Sequence, residues 1–481
     1  MLDLRPVGYV IGLLTAILGV TMLAPFALDW WLGNGHLGAF LESATLTIIF
    51  GTLLALSCAN SVGHGLTIQQ TFLVTTLIWL TLPVFGAIPF VVGATNLSFT
   101  DAFFEAMSGL TTTGSTVING LDQLPQGILL WRGILQWLGG IGIIVVAMVF
   151  LPELRVGGMQ IFKSEGFDTF GKILPRATEI SSSISVIYVS LTGLCALAYM
   201  MTGMKGFDAW VHAMTTVATG GFANYDASFG ALPPAAQYVA TGFMMLAALP
   251  FVRYVQLMAG DAQALHRDSQ IRAFFVTAFV LVLILTLWRF AQTGGGEEAF
   301  RKTLFNTVSL MTGTGYASDN YMLWGSFAIT LLFFVGLIGG CAGSTACSIK
   351  IFRYQLLFAS IGAQLRRIQS PNGVFVPRYE GRRVDQEVLN SVMSFFVFFI
   401  VFLGIVALSL SLTGLDFVTS VSGAAAAVAN IGPGFGHMIG PAGNFAALND
   451  TAKWVLSFAM LIGRLELFAV FAILTVGFWR A

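Results

Sequence analysis

Four short glycine motifs recur along this chain, and no other feature constrains its fold so tightly. They are Thr112-Thr113-Gly114-Ser115, Thr219-Gly220-Gly221-Phe222, Thr314-Gly315-Tyr316 and Asn430-Ile431-Gly432-Pro433. The second and third continue into a shared pattern, Gly-Phe-Ala-Asn-Tyr-Asp from 221 and Gly-Tyr-Ala-Ser-Asp-Asn from 315. Glycine enters left-handed and extended backbone without steric cost. Four similar units, each presenting such a stretch, would close a ring around one small ion. The pattern points to a cation pore made by a single chain.

The surroundings of the motifs agree. Only 10% of the 481 residues are charged and 56% are hydrophobic, whereas an ordinary soluble domain carries about 25% charged residues. Val7–Ala24, Tyr238–Phe251, Phe274–Trp288 and Phe395–Leu412, with their mixed flanks, read as membrane helices. The chain is therefore expected to be integral to a membrane, in contact with lipid. Lys plus Arg and Asp plus Glu both number 23, so no global field favours a nucleic-acid partner. Cys58, Cys195, Cys341 and Cys347 form no C-x-x-C pair and the histidines are scattered, which points to no disulfide framework, zinc site or organic cofactor. The apolar stretch after Arg5 outruns a signal-peptide core and reads as a retained helix.

After two leading apolar segments, 7–28 and 39–58, one module recurs: long helix, short helix, glycine motif, polar loop, long helix. The long helices are expected at 69–91 and 129–151, 180–203 and 236–258, 271–291 and 325–360, and 390–413 and 452–478. The fold class is thus an all-α integral membrane protein. Four pseudo-repeated helix–pore helix–filter–helix units surround one central pore, and two extra N-terminal helices bring the total to about ten spans. The domain boundaries are 1–65 for the extension, then 66–178, 179–269, 270–384 and 385–481 for the units. Each short segment opens with acidic residues, Thr100-Asp101, Phe207-Asp208, Glu297-Glu298 and Leu415-Asp416, which suit a helix N-terminus. Its C-terminal, negative dipole end then faces the glycine motif, where four converging ends favour a cation.

Basic residues set the orientation. Arg155, Lys163, Lys172 and Arg176 fall in one loop, and Lys350, Arg353, Arg366, Arg367, Arg378, Arg382 and Arg383 in another. The stretches just after the motifs carry none, so the motifs face outward and both termini are cytoplasmic. Asp122, Asp226, Asp319 and Asp450 follow the motifs on the outer side, either as solvated loop residues or as a cation-concentrating mouth.

A filter replaces part of an ion's hydration shell with backbone carbonyls, and non-helical backbone is tolerated at membrane depth only where it lines a cavity or is packed in protein. The filter residues read from the motifs are Thr112, Thr113, Gly114, Thr219, Gly220, Gly221, Thr314, Gly315, Asn430, Ile431 and Gly432. The expected K+ contacts are Thr113, Gly114, Gly220, Gly221, Thr314, Gly315, Ile431 and Gly432. One principal glycine per unit implies fewer stacked carbonyl rings than a TVGYG filter, and looser discrimination of potassium from sodium.

Over essentially its whole length the chain resembles the membrane subunit of Trk-type potassium uptake systems, in the superfamily with Ktr and plant HKT transporters. The resemblance is carried by Thr100-Asp101-Ala102-Phe103-Phe104-Glu105, Ser108-Gly109-Leu110-Thr111-Thr112-Thr113-Gly114 and Gly139-Gly140-Ile141-Gly142-Ile143-Ile144-Val145. Gly339-Gly340-Cys341-Ala342-Gly343-Ser344-Thr345, Ile431-Gly432-Pro433-Gly434 and Gly463-Arg464-Leu465-Glu466 complete it. It implies filter glycines at Gly114, Gly221, Gly315 and Gly432, and a homodimer with one pore per subunit. It also implies a cytosolic nucleotide-binding regulatory subunit, and the lack of a targeting peptide suits a bacterial inner membrane.

Two further features bear on gating. The glycines of 336–347 weaken a helix by about 1 kcal/mol each. They mark either a movable loop beneath the filter, built on Gly339, Gly340, Gly343, Ser344 and Thr345, or a small-residue packing surface. The resemblance makes this loop the gate, although Ala346-Cys347-Ser348 replaces further glycine and implies a stiffer loop. Arg464, a charge deep in the last apolar helix, is expected at a cavity or partner; the resemblance puts it below the filter. Glu466 lies on another helix face and should not pair with it. The basic residues Arg366, Arg367, Arg382 and Arg383 suit docking of a regulatory partner as well as the inside rule. Competing functions are a sodium-permeable or Na+/H+-coupled symport version of the same fold, and an unrelated secondary transporter with broken helices, which usually shows inverted repeats.

Overall fold

Backbone groups in lipid must be satisfied within their own segment, and this chain meets that requirement with helices. The computed structural model describes residues 3–61, 66–145, 177–261, 263–465 and 468–480. Arg155, Lys163, Lys172, Arg176 and Glu466, invoked above, lie outside the described residues. Among the described residues, seven helices are long and apolar enough to cross a membrane: Arg5–Leu32, Leu37–Cys58, Ile68–Val92, Gln126–Val145, Ser181–Met201, Ser269–Thr293 and Gln386–Leu412. The remaining expected spans are bent or broken. Pro234–Ala247 and Phe251–Met258 meet at 86°, with Pro250 at the corner, where it can donate no backbone hydrogen bond. The expected helix 325–360 stops at Gly336 and resumes as Ile351–Gln369. The last one runs Asp450–Arg464, then Phe468–Ile473 and Val476–Arg480.

The long helices are two-faced. On Ser269–Thr293, Val276, Phe279, Leu283 and Leu287 face outward while Phe274, Ala278 and Leu285 are buried. Gln386–Leu412 exposes Val397, Ile400, Val401, Ile405 and Leu408 and buries Phe395, Phe399, Phe402, Val406 and Leu410. Apolar residues exposed at helical spacing on this scale are what a hydrocarbon solvent requires. The molecule is an integral membrane protein.

Inside that shell stand four short helices, Phe99–Leu110, Gly206–Val217, Glu297–Met311 and Phe417–Val428. Acidic residues occupy their N-termini as expected: Asp101, Asp208 and Glu297 with Glu298 in the first turns. Asp416 is itself a cap, accepting from Thr419 N at 3.1 Å, and bonds to Thr419 hold its carboxyl below the usual range. None of the four is long enough to span a bilayer. Beyond their first turns they are almost wholly buried, so their C-terminal ends lie inside the protein.

Candidate functional site: a ring of four glycines

All four short helices end in the same way. Their caps are Thr111, Ala218, Thr312 and Ala429, each followed by a left-handed residue: Thr112 (φ 51°), Thr219 (49°), Gly313 (72°) and Asn430 (51°). Its N–H bonds back into the helix, Thr112 N to Gly109 O, Thr219 N to Thr216 O, Gly313 N to Leu310 O and Asn430 N to Ala427 O. The next N–H reaches one residue deeper, Thr113 N to Ser108 O, Gly220 N to Thr215 O, Thr314 N to Ser309 O and Ile431 N to Ala426 O, all at 2.8–2.9 Å. This is a Schellman ending, executed four times. The following residue is again left-handed and is always glycine: Gly114 (86°), Gly221 (82°), Gly315 (80°) and Gly432 (105°).

The four strands close on one another in order. A side-chain carbon added to Gly114 would collide with the carbonyl oxygen of Gly220. At Gly221 it would collide with Thr314 O, at Gly315 with Ile431 O, and at Gly432 it would come within 2.8 Å of Thr113 O. Each glycine thus admits the carbonyl of the next strand, and the fourth returns to the first. The carbonyls in that circuit belong to Thr113, Gly220, Thr314 and Ile431, so all eight residues expected at the ion fall on it. Negative helix ends just behind the circuit add to its attraction for a cation.

Three of the left-handed residues before the glycines are not glycine, at a cost of about 1–2 kcal/mol each. Side-chain bonds hold all three, Thr219 through its Oγ1 donating to Ala218 O (2.7 Å). Asn430 Nδ2 donates to Thr113 Oγ1 (2.8 Å) and Met460 O (2.9 Å), and Thr112 Oγ1 lies 3.7 Å from Cys347 Sγ. The Thr-x-Thr sequences add paired hydroxyls, Thr111 with Thr113 and Thr312 with Thr314, both at 2.7 Å. The first exit helix supplies Gln136, which donates to Gly220 O (2.5 Å) and accepts from Phe222 N (3.0 Å).

A buried ion pair stands outside the first strand. Arg132 Nε meets Glu105 Oε1 at 2.9 Å with both side chains essentially inaccessible. Arg132 also donates to Ala223 O (2.8 Å) and lies over the Phe222 ring at 4.1 Å, tying the first strand to the second. Glu105 accepts from Val117 N and from Thr116 Oγ1.

One side of the ring opens into a cavity of about 550 Å³ lined by Gly114, Gly221, Gly315 and Pro433. Of the expected acidic mouth, Asp226 is engaged with Gly120 N and Leu121 N, and Asp319 with Trp324 Nε1 and Lys302. On the other side is a cavity of only about 40 Å³, lined by Ser344, Cys347, Asn430 and Arg464 among others. Residues of the glycine-rich interruption and its C-terminal flank line it. Ser348 N donates to Ala429 O and Cys347 N to Thr312 O, the carbonyls of two helix caps. Thr345 Oγ1 donates to Ala247 O and Ser344 Oγ to Cys341 O. Gly339 and Gly340 allow close approach of Cys347 O and of Ala346 and Ala248, while Gly343 has open space and φ 72°. Arg464 is buried; its Nη1 lies 2.8 Å from Cys347 Sγ and its Nη2 3.3 Å from Gly139 O.

Glu105, Arg132, Gln136, His212 and Asn306 were not singled out by the sequence reading as site residues. Arg132 carried a signal: it is a lone charge within an apolar helix, which lipid tolerates only with a partner. Gln136 and Asn306 carried none, because their roles appear only once the strands are placed.

Fold and ring together define a polytopic membrane protein of the ion-transporting class. A family model described as "Cation transport protein" (TrkH) matches residues 36–476, and the chain belongs to that family. It is 43% identical over 486 residues to the Trk system potassium uptake protein TrkI of Halomonas elongata, covering 99% of this chain and 97% of that one. It is 36% identical to the TrkH protein of Escherichia coli K12, covering 99% of each. The crystal structure of the potassium transporter TrkH from Vibrio parahaemolyticus superposes with a TM-score of 0.90 at 35% identity, covering 100% of both chains.

Proposed function

We propose that the chain mediates potassium uptake, with the ring of Gly114, Gly221, Gly315 and Gly432 as a selectivity filter made by four repeats. The closed circuit of glycines and carbonyls carries this reading, and relatives named as potassium uptake proteins support it. Dehydrated K+ is held by the carbonyls of Thr113, Gly220, Thr314 and Ile431, with the helix ends offsetting its charge. The loop 337–350 is the gate: its bonds to the Thr312 and Ala429 caps and to Arg464 seal the inner cavity, and conduction needs them released. The vestibule faces outward, the termini lie in the cytoplasm of a bacterial inner membrane, and the protein works as a homodimer. Exposed Arg366, Arg367, Arg382 and Arg383 dock a cytosolic nucleotide-binding subunit that moves the loop.

Expression in a bacterium stripped of its own potassium uptake tests this. Growth at low potassium should be restored, and lost when Gly221→Ala is introduced at equal membrane abundance. Growth supported equally by Gly221→Ala would remove the filter assignment.

A further inference from the structure

Just past each ring glycine, at one common offset, a backbone N–H is captured by a side chain of that unit's own short helix. Val117 N donates to Glu105 Oε2 (2.9 Å), Asn224 N to His212 Nε2 (3.4 Å), Ser318 N to Asn306 Oδ1 (3.2 Å) and Phe435 N to Ser422 Oγ (2.9 Å). All four acceptor residues are buried. Glu105, His212 and Asn306 occupy equivalent helix positions, so one geometric task is done by a carboxylate, an imidazole and an amide. An N–H left unpaired at such a place would pull its strand toward another partner.

Only one of these acceptors, the His212 imidazole, gives up its accepting lone pair when it takes up a proton. His212 Nδ1 lies 2.8 Å from Asp208 O, which fixes the proton on that nitrogen and leaves Nε2 to accept. A second proton would set N–H against N–H. The titratable and charged groups facing the His212 imidazole are Asp208, Arg132, Tyr225 and Tyr316. Asp208 is engaged with Asn224 Nδ2 and the Tyr225 hydroxyl, both at 2.8 Å. Arg132 holds Ala223 O next door. Tyr225 stacks parallel to the imidazole and Tyr316 lies tilted to it, each with centroids 6.4 Å away.

We propose that His212 is a specificity-determining positioning residue: its neutral Nε2 holds the second strand at the radius that favours K+ over Na+, and charging it releases the strand. This rests on the filter reading above. The consequence is a transporter whose selectivity, rather than only its rate, falls in acid.

The test is the K+/Na+ flux ratio of full-length protein in liposomes, for wild type, His212→Ala and His212→Asn, the last carrying the third unit's own acceptor. The ratio should fall several-fold in His212→Ala and be largely kept in His212→Asn. Wild type should lose selectivity reversibly as the outer-cavity side is acidified well below the ordinary imidazole range, and His212→Asn should not. A selective His212→Ala protein overturns the proposal. If that variant cannot be purified, identical acid profiles for wild type and His212→Asn overturn it. A wild type that is unselective at neutral pH instead refutes the filter reading itself.

Discussion

Consider removing one member of the Glu105–Arg132 pair. The guanidinium and carboxylate are 2.9 Å apart, with side-chain exposures of 2% and 0%. Glu105 also holds Thr116 Oγ1 and Val117 N. Breaking a buried pair by deleting one partner leaves an uncompensated charge and costs about 3–5 kcal/mol, a large share of the roughly 5–15 kcal/mol that stabilises a folded protein. Glu105→Gln should cost that much, because it strands the arginine although an amide oxygen still accepts from Val117 N. Arg132→Met should cost at least as much, because it strands a carboxylate. The double variant Glu105→Gln/Arg132→Met removes both charges and keeps the acceptor. Neutral replacement of a buried pair is often close to neutral in energy, so the double should recover most of either loss. Thermal unfolding of the four proteins in detergent, followed by intrinsic tryptophan fluorescence, measures this. Losses that simply add in the double variant would show that the two groups do not interact and would refute the reasoning.

Other expectations follow from the same geometry. Arg464→Gln removes the charge bordering the inner cavity and its bonds to Cys347 and Gly139; single-channel or flux measurements should show higher leak, and unchanged flux would contradict a barrier role. Cys347→Gly deletes the sulfur between Thr112 and Arg464 and should raise basal flux, with Cys347→Ser intermediate. Asp416→Ala removes a helix cap and should lower stability by about 1 kcal/mol. The carboxyl of Asp416 is held low by bonds to Thr419, so its stabilising effect persists above the ordinary aspartate range and disappears only as pH falls through the depressed value. Melting curves of wild type and Asp416→Ala should therefore converge in strong acid.

The long helices, the acidic starts of the short ones and the ring glycines were all legible in the sequence, because apolar length, capping chemistry and positive φ each leave a residue-level mark. The ring itself was not. That Gly315 faces Ile431 O and Gly432 faces Thr113 O depends on how distant units pack. The breaks were half legible: the glycines of 336–347 announced one, whereas the 86° bend at Pro250 sat inside an apolar run that read as one helix. Ala346-Cys347-Ser348, in place of further glycine, could be seen in the sequence, but its backbone bonds from Cys347 and Ser348 to two helix caps could not. Side chains behind the ring, such as Gln136 and Asn306, look in sequence like ordinary polar residues, since their function is set by where the backbone near a ring glycine turns, in Gln136's case 84 residues along the chain.

The central claim is that the glycine ring selects the ion. Flux of potassium, rubidium and sodium into liposomes, with wild type compared against Gly315→Ala, tests it most directly. At Gly315 an added carbon would strike Ile431 O and lie 2.9 Å from Pro433 Cδ, on a residue at φ +80°. The account predicts potassium and rubidium flux well above sodium in wild type, with that preference lost in Gly315→Ala even where protein is folded and incorporated equally. A Gly315→Ala protein with wild-type selectivity would contradict it.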